Sequence, residues 1–398
     1  MAGSTISYHW RDPWASQDYG CGVSLHSHTN ESRETLSCLA KFGNQYLLMR
    51  SLISRLERKS EANHGMRANY KAGYWTPPLT PKRAFDLESA QIEKLDVAAM
   101  VSLTDHDTIN APVLLRNIPG AQHVPVSVEW TAPYGGQAFH LGVHKLPQAA
   151  AAQWMEILSD YTANPSENRL AEILTALDAE PEVLVVFNHP MWDLYLVGER
   201  RHVFLVNEFL HKYGPWLHAL ELNGLRHWDE NRAVRQLSAQ WNMLLISGGD
   251  RHGLEPNANL NLTNATSFAE FVHEIRREKK GRVLFMSQYA EPWRHRMLQS
   301  AVDAVRHYPE FPEGSRRWDQ RVYHPDAQGV VRPLSELWPD GTPPTPMSFG
   351  IGLVRLMGTG LVSQAFRMAW NESHELRKAL GDFDPPTPVS PCLEAPTP

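Results

Sequence analysis

The sequence predicts an α/β protein, and two observations lead to this fold class. Short apolar runs rich in β-branched residues alternate with segments whose apolar residues have helical spacing, an order typical of βα units. Most of these runs end at or near a histidine or a carboxylate. Functional sites of α/β proteins lie at the carboxyl ends of their strands. The regular placement of histidines and carboxylates at strand ends therefore predicts a functional site at the carboxyl edge of a largely parallel sheet.

The predicted elements follow one another between residues 21 and 246. The predicted strands are residues 21–25, 97–103, 124–128, 138–142, 183–187, 219–222 and 243–246. The predicted helices are residues 84–95, 149–159, 168–179, 199–213 and 229–241. The apolar runs have the length of strands, and the intervening segments have the length of helices.

We expect four parts along the chain. An N-terminal segment (residues 1–19) precedes a metal-binding region (20–258), which contains a helical insertion at 37–83. The strand pattern stops after residue 258, so residues 259–384 are predicted to be a mainly helical C-terminal extension. The proline-rich residues 385–398 are predicted to be a disordered tail.

Composition and charge narrow the function classes. The 398 residues carry a net charge of −6, which disfavours binding of long nucleic acids. The basic residues 276–280 are better explained as the solvated end of a helix. The 3 cysteines are too few and too scattered for a disulfide framework or a thiolate metal site. Since neither a secretory signal nor an apolar stretch of about 18 residues is found, we expect a cytoplasmic protein without stable membrane insertion.

Two short patterns provide candidate metal ligands. His26 and His28 are two residues apart in an extended segment, so both rings point to the same side. Asp250 and His252 repeat this spacing with a carboxylate and an imidazole. Imidazole and carboxylate ligands together suit zinc, manganese or iron. A glutamate placed between histidines, such as Glu129, can bridge two ions.

Six motifs follow one another in the order of a known family. They are LHSH (25–28), LTDHD (103–107), VEW (128–130), FHLG (139–142), NHP (188–190) and GGDRHG (248–253). Together they resemble the successive motifs of the PHP family, named for polymerase and histidinol phosphatase, over residues 20–255. The resemblance implies a distorted (β/α)7 barrel that hydrolyses phosphate esters by metal-activated hydroxide. It also implies two or three divalent metal ions (manganese, zinc or iron).

The resemblance further implies which residues hold each ion. The first ion would be held by His26, His28, Glu129 and Asp250. The second would be held by Glu129, His189 and His140, with His144 as the alternative to His140. The third would be held by His106 and His252, and Asp105 and Asp107 would orient the histidine rings.

The chain departs from the family pattern at two positions. Ser24 stands where the family has the aspartate that opens the first motif, and Arg33 stands where it has a carboxylate for the third ion. Glu34, or failing that Glu31, could supply this carboxylate. Otherwise the third site is weakened, and Arg33 could contact phosphate instead.

Four residues are predicted to act on the substrate. His252 or His106 would donate a proton to the leaving oxygen if the third ion is absent. Arg33 and Arg251 belong to predicted strand-end loops, where a guanidinium can clamp phosphate with two hydrogen bonds. Arg226 is better explained as a surface charge or a salt bridge.

The predicted partner is a small phosphorylated metabolite or nucleotide, and three alternatives stay open. An exonuclease would take only short oligonucleotides, because the composition shows no basic groove. A hydrolase of the amidohydrolase type would usually bring a lysine at a strand end, and none is seen. A metal-depleted barrel could serve as a binding or regulatory module, which the change at Arg33 suggests. Formation of a homo-oligomer is left open.

Overall fold

The computed structural model describes residues 3–36, 58, 61, 69–70, 72–338 and 340–369. Most of the predicted helical insertion and the whole predicted tail (385–398) therefore lie outside the described residues. The described part contains strands and helices along its whole length, so the protein is mixed α/β.

The structure has the following elements in chain order. The strands are β1 (Gly3–Tyr8), β2 (Cys21–Ser24), β3 (Glu34–Thr35), β4 (Tyr74–Trp75), β5 (Ala98–Val101), β6 (Val128–Tyr134), β7 (Gln137–His144), β8 (Leu184–Phe187), β9 (Ala219–Asn223), β10 (Leu244–Gly248), β11 (Asn259–Thr263), β12 (Lys280–Phe285), β13 (Val322–Pro325) and β14 (Val331–Pro333). The α-helices are α1 (Pro81–Glu93), α2 (Asn110–Leu115), α3 (Ala151–Ala163), α4 (Glu167–Ala179), α5 (Glu199–Tyr213), α6 (Trp228–Trp241), α7 (Phe268–His273), α8 (Trp293–Val305), α9 (Leu334–Leu337), α10 (Thr345–Met357) and α11 (Gly360–Ala369). A π-helical segment, Glu274–Glu278, continues α7.

The first sheet has five strands in the order β1-β12-β11-β2-β5. β1 pairs with β12, and β2 with β5, in parallel, whereas β11 runs antiparallel to both of its neighbours. β1 lies before residue 20, and β11 and β12 follow residue 258. The sheet therefore combines strands from three of the regions distinguished in the sequence.

The second sheet has five strands in the order β10-β9-β8-β7-β6. β10, β9 and β8 are parallel, so their carboxyl ends lie at one edge. β7 runs antiparallel to β8 and to β6, which makes the sheet mixed rather than largely parallel.

Two isolated parallel bridges connect these two sheets. One joins Ser27, after β2, to Arg251, after β10, and the other joins His106, after β5, to Glu129 in β6. Backbone hydrogen bonds support both bridges, for example from His28 N to the Arg251 carbonyl at 2.8 Å. Among the described residues no sheet closes into a barrel, so the distorted (β/α)7 barrel implied by the resemblance is not shown.

A third, antiparallel sheet has the order β14-β13-β4-β3. β3 and β4 lie next to or within the predicted insertion, whereas β13 and β14 belong to the predicted C-terminal extension. The extension thus contributes strands as well as helices. This sheet also carries Glu34 and Trp75 towards the edge where the first two sheets meet.

The helices form where apolar residues recur at intervals of three or four and where the ends are capped. α5 buries Leu205, Phe209 and Tyr213 against the core of the second sheet. Each fully buried side chain of this kind stabilises the fold by roughly 1.5–3 kcal/mol. At the start of α1, the Thr80 hydroxyl accepts a hydrogen bond from Arg83 N, and Pro81 takes the first helical position.

The predicted and observed elements differ most around Glu129. The strand predicted at 124–128 is not formed, and β6 begins at Val128. Pro125 cannot donate to a sheet hydrogen bond. Gly135 and Gly136, both with positive φ, turn the chain after Tyr134, so β6 and β7 pair as a hairpin. Glu129 is therefore the second residue of a strand and not the residue that follows one.

None of the described helices alone is long and apolar enough to cross a membrane. α10 and α11 satisfy the length and composition only as a pair, and they are bent by 74° at the break between them.

Candidate metal centre

Nitrogen and oxygen ligands from distant parts of the chain meet where the two five-stranded sheets are bridged. The histidines are His26, His28, His106, His140, His189 and His252, and the carboxylates are Glu34, Glu129 and Asp250. Apart from two partly buried rings, these side chains are buried. The structure thus brings together every metal ligand predicted from the sequence.

His26 and His28 share a direction because the chain is extended after β2. His26 Nε2 lies 3.0 Å from Glu129 Oε2, and His28 Nε2 lies 3.3 Å from the same oxygen. His106 Nε2 is 3.4 Å from it. One oxygen of Glu129 therefore faces three imidazole rings.

The other oxygen of Glu129 faces a separate pair of histidines. His189 Nε2 lies 3.1 Å from Glu129 Oε1, and His140 Nδ1 lies 3.4 Å from it. Asn188 donates a hydrogen bond to the same oxygen at 2.9 Å, which fixes the orientation of the carboxylate. A carboxylate with a different ligand group at each oxygen has the arrangement needed to bridge two ions.

Asp250 completes the group around His26 and His28. Its Oδ1 lies 3.7 Å from His26 Nε2 and 3.5 Å from His28 Nε2. Its Oδ2 accepts hydrogen bonds from Asn223 Nδ2 at 3.2 Å and from Arg226 Nη2 at 3.1 Å. Asp250 has a φ of 56°, a left-handed conformation that aspartate tolerates better than most residues. This turn aims the carboxylate back at the histidines.

Glu34, at the start of β3, lies within a third group of ligands. Its Oε2 is 3.2 Å from His106 Nε2, and its Oε1 is 3.5 Å from His252 Nε2. Ser32 donates a hydrogen bond to Glu34 Oε1 at 2.7 Å. A carboxylate is thus present near His106 and His252 although the expected position, 33, is an arginine.

The donor set fits a divalent metal ion. His26 Nε2 and His28 Nε2 face each other at 3.0 Å, and both also point at carboxylate oxygens. His140 Nδ1 is buried and makes no hydrogen bond within the described part of the chain. Imidazole and carboxylate donors converge in four sets, and the ligand atoms of each set lie within 4.8 Å of one another. Such donors suit zinc, manganese or iron. A cation between them would satisfy nitrogens that the protein itself leaves poorly paired.

Glu221, in β9, holds two of the ligands in place. Its Oε1 lies 2.7 Å from His26 Nδ1, and its Oε2 accepts a hydrogen bond from His189 N at 2.8 Å. A carboxylate behind a ligating histidine fixes the ring and its tautomer. A Cβ at Gly248 would lie 1.5 Å from Glu221 Oε1, so only glycine leaves room for this side chain.

The histidines and carboxylates of the centre strongly shift one another's pKa values. Burial lowers the pKa of His26, but Glu129, Glu221 and Asp250 raise it more, to well above its usual range. Burial raises the pKa of Glu129, but His26 and the neighbouring histidines lower it more, to well below its usual range. Without a metal ion, the ligand set would therefore favour protons on the imidazoles and charge on the carboxylates. Metal binding at such a set releases protons and becomes tighter as the pH rises.

His140, and not His144, belongs to the cluster. His144 Nδ1 lies 2.9 Å from Ser102 Oγ, and burial lowers the pKa of its ring to about 3. Burial also lowers the pKa of His140, to about 4, so its ring is neutral and able to bind metal at neutral pH. Both histidines lie in β7, and the sequence favoured His140, with His144 as the alternative.

Arg251 is not free to clamp phosphate, which corrects the prediction from the sequence. Its side chain is buried and forms an ion pair with Glu88 at 3.2 Å. The other guanidinium nitrogens donate to the carbonyls of Gly253 and Leu254. All three nitrogens thus hold the loop after β10 in shape.

Three further predicted residues lie away from the ligating atoms. Arg33 is exposed, with its guanidinium 5.2 Å from the ring centroid of Tyr74. Asp105 accepts hydrogen bonds from the Thr29 amide and hydroxyl, and Asp107 accepts one from Thr131 N. These two aspartates fix loops beside the cluster rather than hydrogen-bonding the histidine rings.

Arg226 forms a salt bridge, as predicted for it, and its partner is the candidate ligand Asp250. Its guanidinium lies 3.7 Å from the ring centroid of Trp192 and contacts Asp250. The Trp192 ring in turn packs on His189 and His140. The signal for Arg226 was present in the sequence, because it follows the end of a strand as the ligands do.

Comparisons with known proteins identify no family. No family model matches the chain, and no curated protein matches it. Among solved structures, an amidohydrolase from Chromobacterium violaceum with bound sulfate and no metal is 14% identical, with a TM-score of 0.33, over 58% of this chain and 87% of that one. A candidate metal-dependent phosphoesterase from Bifidobacterium adolescentis is 15% identical, with a TM-score of 0.30, over 50% of this chain and 91% of that one.

Proposed function

We propose that this protein is a metal-dependent hydrolase of phosphate esters. The observation that carries the proposal is the position of Glu129, whose two oxygens face separate groups of histidines. Bridging carboxylates of this kind are used by hydrolases that place two divalent ions side by side. The six motifs that resemble the PHP family indicate the same reaction, the hydrolysis of phosphate esters.

The position of Arg226 favours a substrate with an anionic group. The guanidinium is stacked on Trp192 and held by Asp250, so its plane is fixed at the edge of the ligand cluster. Its side chain remains 15% exposed. A planar guanidinium presents parallel N–H groups that match two oxygens of a phosphoryl group. We assign the phosphate contact to Arg226, with Arg33 as a further surface residue that could approach the substrate.

Each residue of the cluster would have a separate role in such a site. His26, His28, Glu129 and Asp250 would hold one ion, and Glu129, His140 and His189 would hold a second. A divalent ion there supplies positive charge to the phosphoryl oxygens and lowers the pKa of a water molecule. Glu221 keeps the ring of His26 oriented, and Arg226 binds a phosphoryl oxygen.

His252 is the candidate proton donor when Glu34, His106 and His252 hold no third ion. His252 Nδ1 donates to the Asp250 carbonyl at 2.9 Å, which leaves Nε2 facing Glu34 at 3.5 Å. Burial lowers the pKa of this ring, but Glu34 and Asp250 raise it more, to about 9. The ring therefore carries a proton at Nε2 at neutral pH, as a general acid requires. His106, with its pKa likewise raised to about 10, is the alternative donor.

The seven-stranded arrangement implied by the resemblance is part of the proposal. The bridges from Ser27 to Arg251 and from His106 to Glu129 support it. Through them the order β2-β5-β6-β7-β8-β9-β10 leads back to β2. We propose that these strands form the wall of a distorted barrel around the ligands.

The first test measures metal content and hydrolysis together. The purified full chain should contain at least one manganese, zinc or iron ion per molecule and should hydrolyse phenyl phosphate when Mn²⁺ is added. The variant His28→Ala should lose both properties, whereas His123→Ala, which removes an exposed histidine outside the cluster, should keep them. Less than about one ion per chain, together with no hydrolysis, would contradict the proposal.

A further inference from the structure

A cavity of about 310 Å³ adjoins the metal centre. Asp250 belongs to the lining of the cavity and also to the ligand cluster. The rest of the lining comes from the loops after β9 and β10 and from the region of α8. The volume lies at the lower end of the range for small-molecule pockets, about 300–1,000 Å³. A substrate whose phosphoryl group lies at the metal centre could extend into this space.

Two glutamine side chains belong to the lining of the cavity. Gln288 and Gln299 both line it, and Gln288 Oε1 is buried with no hydrogen-bond partner in the described part of the chain. A buried carbonyl oxygen without a partner carries a desolvation cost that a ligand donor can relieve. Amide side chains both donate and accept, as hydroxyl groups do.

The carboxylates of the lining are balanced by their neighbours. Burial, together with Asp303, raises the pKa of Glu255 to about 8, so this carboxyl favours its neutral form more than an exposed glutamate does. Glu291 lies 3.0 Å from His295 Nδ1 and 3.8 Å from Arg367 Nη2. The third carboxylate of the lining, Asp250, is paired with Arg226 at 3.1 Å. The cavity therefore offers little unbalanced negative charge to attract an ammonium group.

The positive charges of the lining are engaged as well. Arg296 donates hydrogen bonds to the carbonyls of Gly224 and Arg226, and its guanidinium lies over the ring of Tyr289. Arg251 is paired with Glu88. A second phosphate group would thus find no guanidinium directed at it from these two residues. None of the described lining side chains is aromatic, so the cavity offers no stacking surface for a heterocyclic base.

We propose that this cavity binds the alcohol part of the phosphate ester and that this alcohol is hydroxyl-rich, a polyol or a sugar. The inference rests on the proposed function, which it makes more specific. Hydrolysis would break the bond between phosphorus and the alcohol oxygen, and a water oxygen would form the new bond to phosphorus. One proton of that water ends on the released alcohol. The hydroxyl groups of the alcohol bind Gln288, Gln299 and the polar rim of the cavity.

The test compares substrates of equal carbon number with and without hydroxyl groups. We expect kcat/KM for sorbitol monophosphate to exceed that for hexyl phosphate by about tenfold or more, the effect of one or two buried hydrogen bonds. The variants Gln288→Leu and Gln299→Leu should reduce this ratio towards one. Gln299 lies on the exposed side of α8, so its substitution does not threaten the fold. The control Gln148→Leu, an exposed glutamine outside the cavity, should leave the ratio unchanged.

Failure of this inference can be distinguished from failure of the proposed function. Hydrolysis of phenyl phosphate with equal kcat/KM for the sorbitol and hexyl esters would overturn the inference alone. A preference for aminohexyl phosphate over sorbitol monophosphate would also overturn it, in favour of a cationic alcohol. If phenyl phosphate is not hydrolysed at all, calorimetry measures whether sorbitol monophosphate binds to the metal-free protein and so tests the cavity assignment separately. Binding that Gln288→Leu weakens would support the cavity assignment, and absence of binding would contradict it.

Discussion

The carboxylate of Glu129 shows how one buried residue organises the site. The side chain is almost completely buried, and a negative charge in such a place is costly unless cations or hydrogen bonds compensate it. Five imidazole rings and the Asn188 amide surround it. Such an arrangement is stable with metal ions, or with protons on the histidines, but not with neutral histidines alone.

The variant Glu129→Gln tests this dependence. The amide keeps the shape of the side chain and removes its negative charge, so we expect loss of at least one bound ion and a fall in phenyl phosphate hydrolysis of at least about a hundredfold. Elemental analysis and steady-state kinetics measure the two effects. Glu167→Gln, at an exposed position, serves as the control. Wild-type metal content in Glu129→Gln would show that the assignment of this residue is wrong.

Glu255 gives a prediction about pH. Burial raises its pKa from the usual 4.5 to about 8 in the folded protein, with Asp303 raising it further and Arg251 opposing. A raised folded pKa means that this contribution to stability is complete below about pH 4.5 and is lost as the pH rises through 8. Glu255→Gln should therefore gain stability relative to wild type, up to a few kcal/mol, between these pH values. Denaturant unfolding in the presence of a chelator measures it, and a constant difference would contradict the prediction.

At the same scale, the sequence predicted the candidate ligands and a salt bridge for Arg226, but not the burial of Arg251. The ligands follow motifs in which each histidine or carboxylate is identified by its near neighbours. The roles of the two arginines depend on partners far along the chain, Trp192 and Asp250 for one and Glu88 for the other. Local sequence does not identify such distant partners, so the stacking of Arg226 on Trp192 and the pairing of Arg251 with Glu88 were not predicted.

At the scale of elements, the sequence predicted helices better than strands. The helix predicted at 199–213 is found with the same bounds, because its apolar spacing and its flanking glycines mark both ends. The strand predicted at 124–128 was wrong, because its continuous apolar run fits a buried loop as well as a strand. The pairing of β11 and β12 with β2 joins residues more than two hundred positions apart, and no local pattern indicates it.

Arg276 offers a test of how the elements are held together. The basic run 276–280 was interpreted as a solvated helix end, but Arg276 is buried and donates to the carbonyls of Asp178, Glu180 and Val183 between α4 and β8. Arg276→Met would remove these hydrogen bonds and the ion pair with Asp178, and should lower the free energy of unfolding by about 3 kcal/mol.

The matched control is the next residue in the same π-helical segment. Arg277 is exposed, so Arg277→Met should change the free energy of unfolding by less than about 0.5 kcal/mol. Denaturant unfolding of the two variants and the wild type gives the comparison. Equal effects of the two substitutions would contradict the role assigned to Arg276.

For the whole molecule, metal binding should be coupled to stability. An ion that binds only the folded state stabilises it by about 2.7 kcal/mol at a hundredfold excess over its Kd. We therefore expect Mn²⁺ or Zn²⁺ to raise the Tm of chelator-treated protein by several degrees, as measured by differential scanning calorimetry. In Glu129→Gln the rise should be smaller. An unchanged Tm in wild type at saturating metal would argue against a metal centre.

The two bridges between the five-stranded sheets have a consequence for the biosynthesis of the protein. The ligands begin at His26 and end at His252, and β1 finds its partner only when β12, ending at Phe285, has been made. A nascent chain therefore leaves the ribosome with its first histidines long before Glu129 and Asp250 can meet them. If the proposed centre binds metal, loading would therefore follow translation of most of the chain. A product truncated before residue 250 would have the first histidines but not Asp250 and His252.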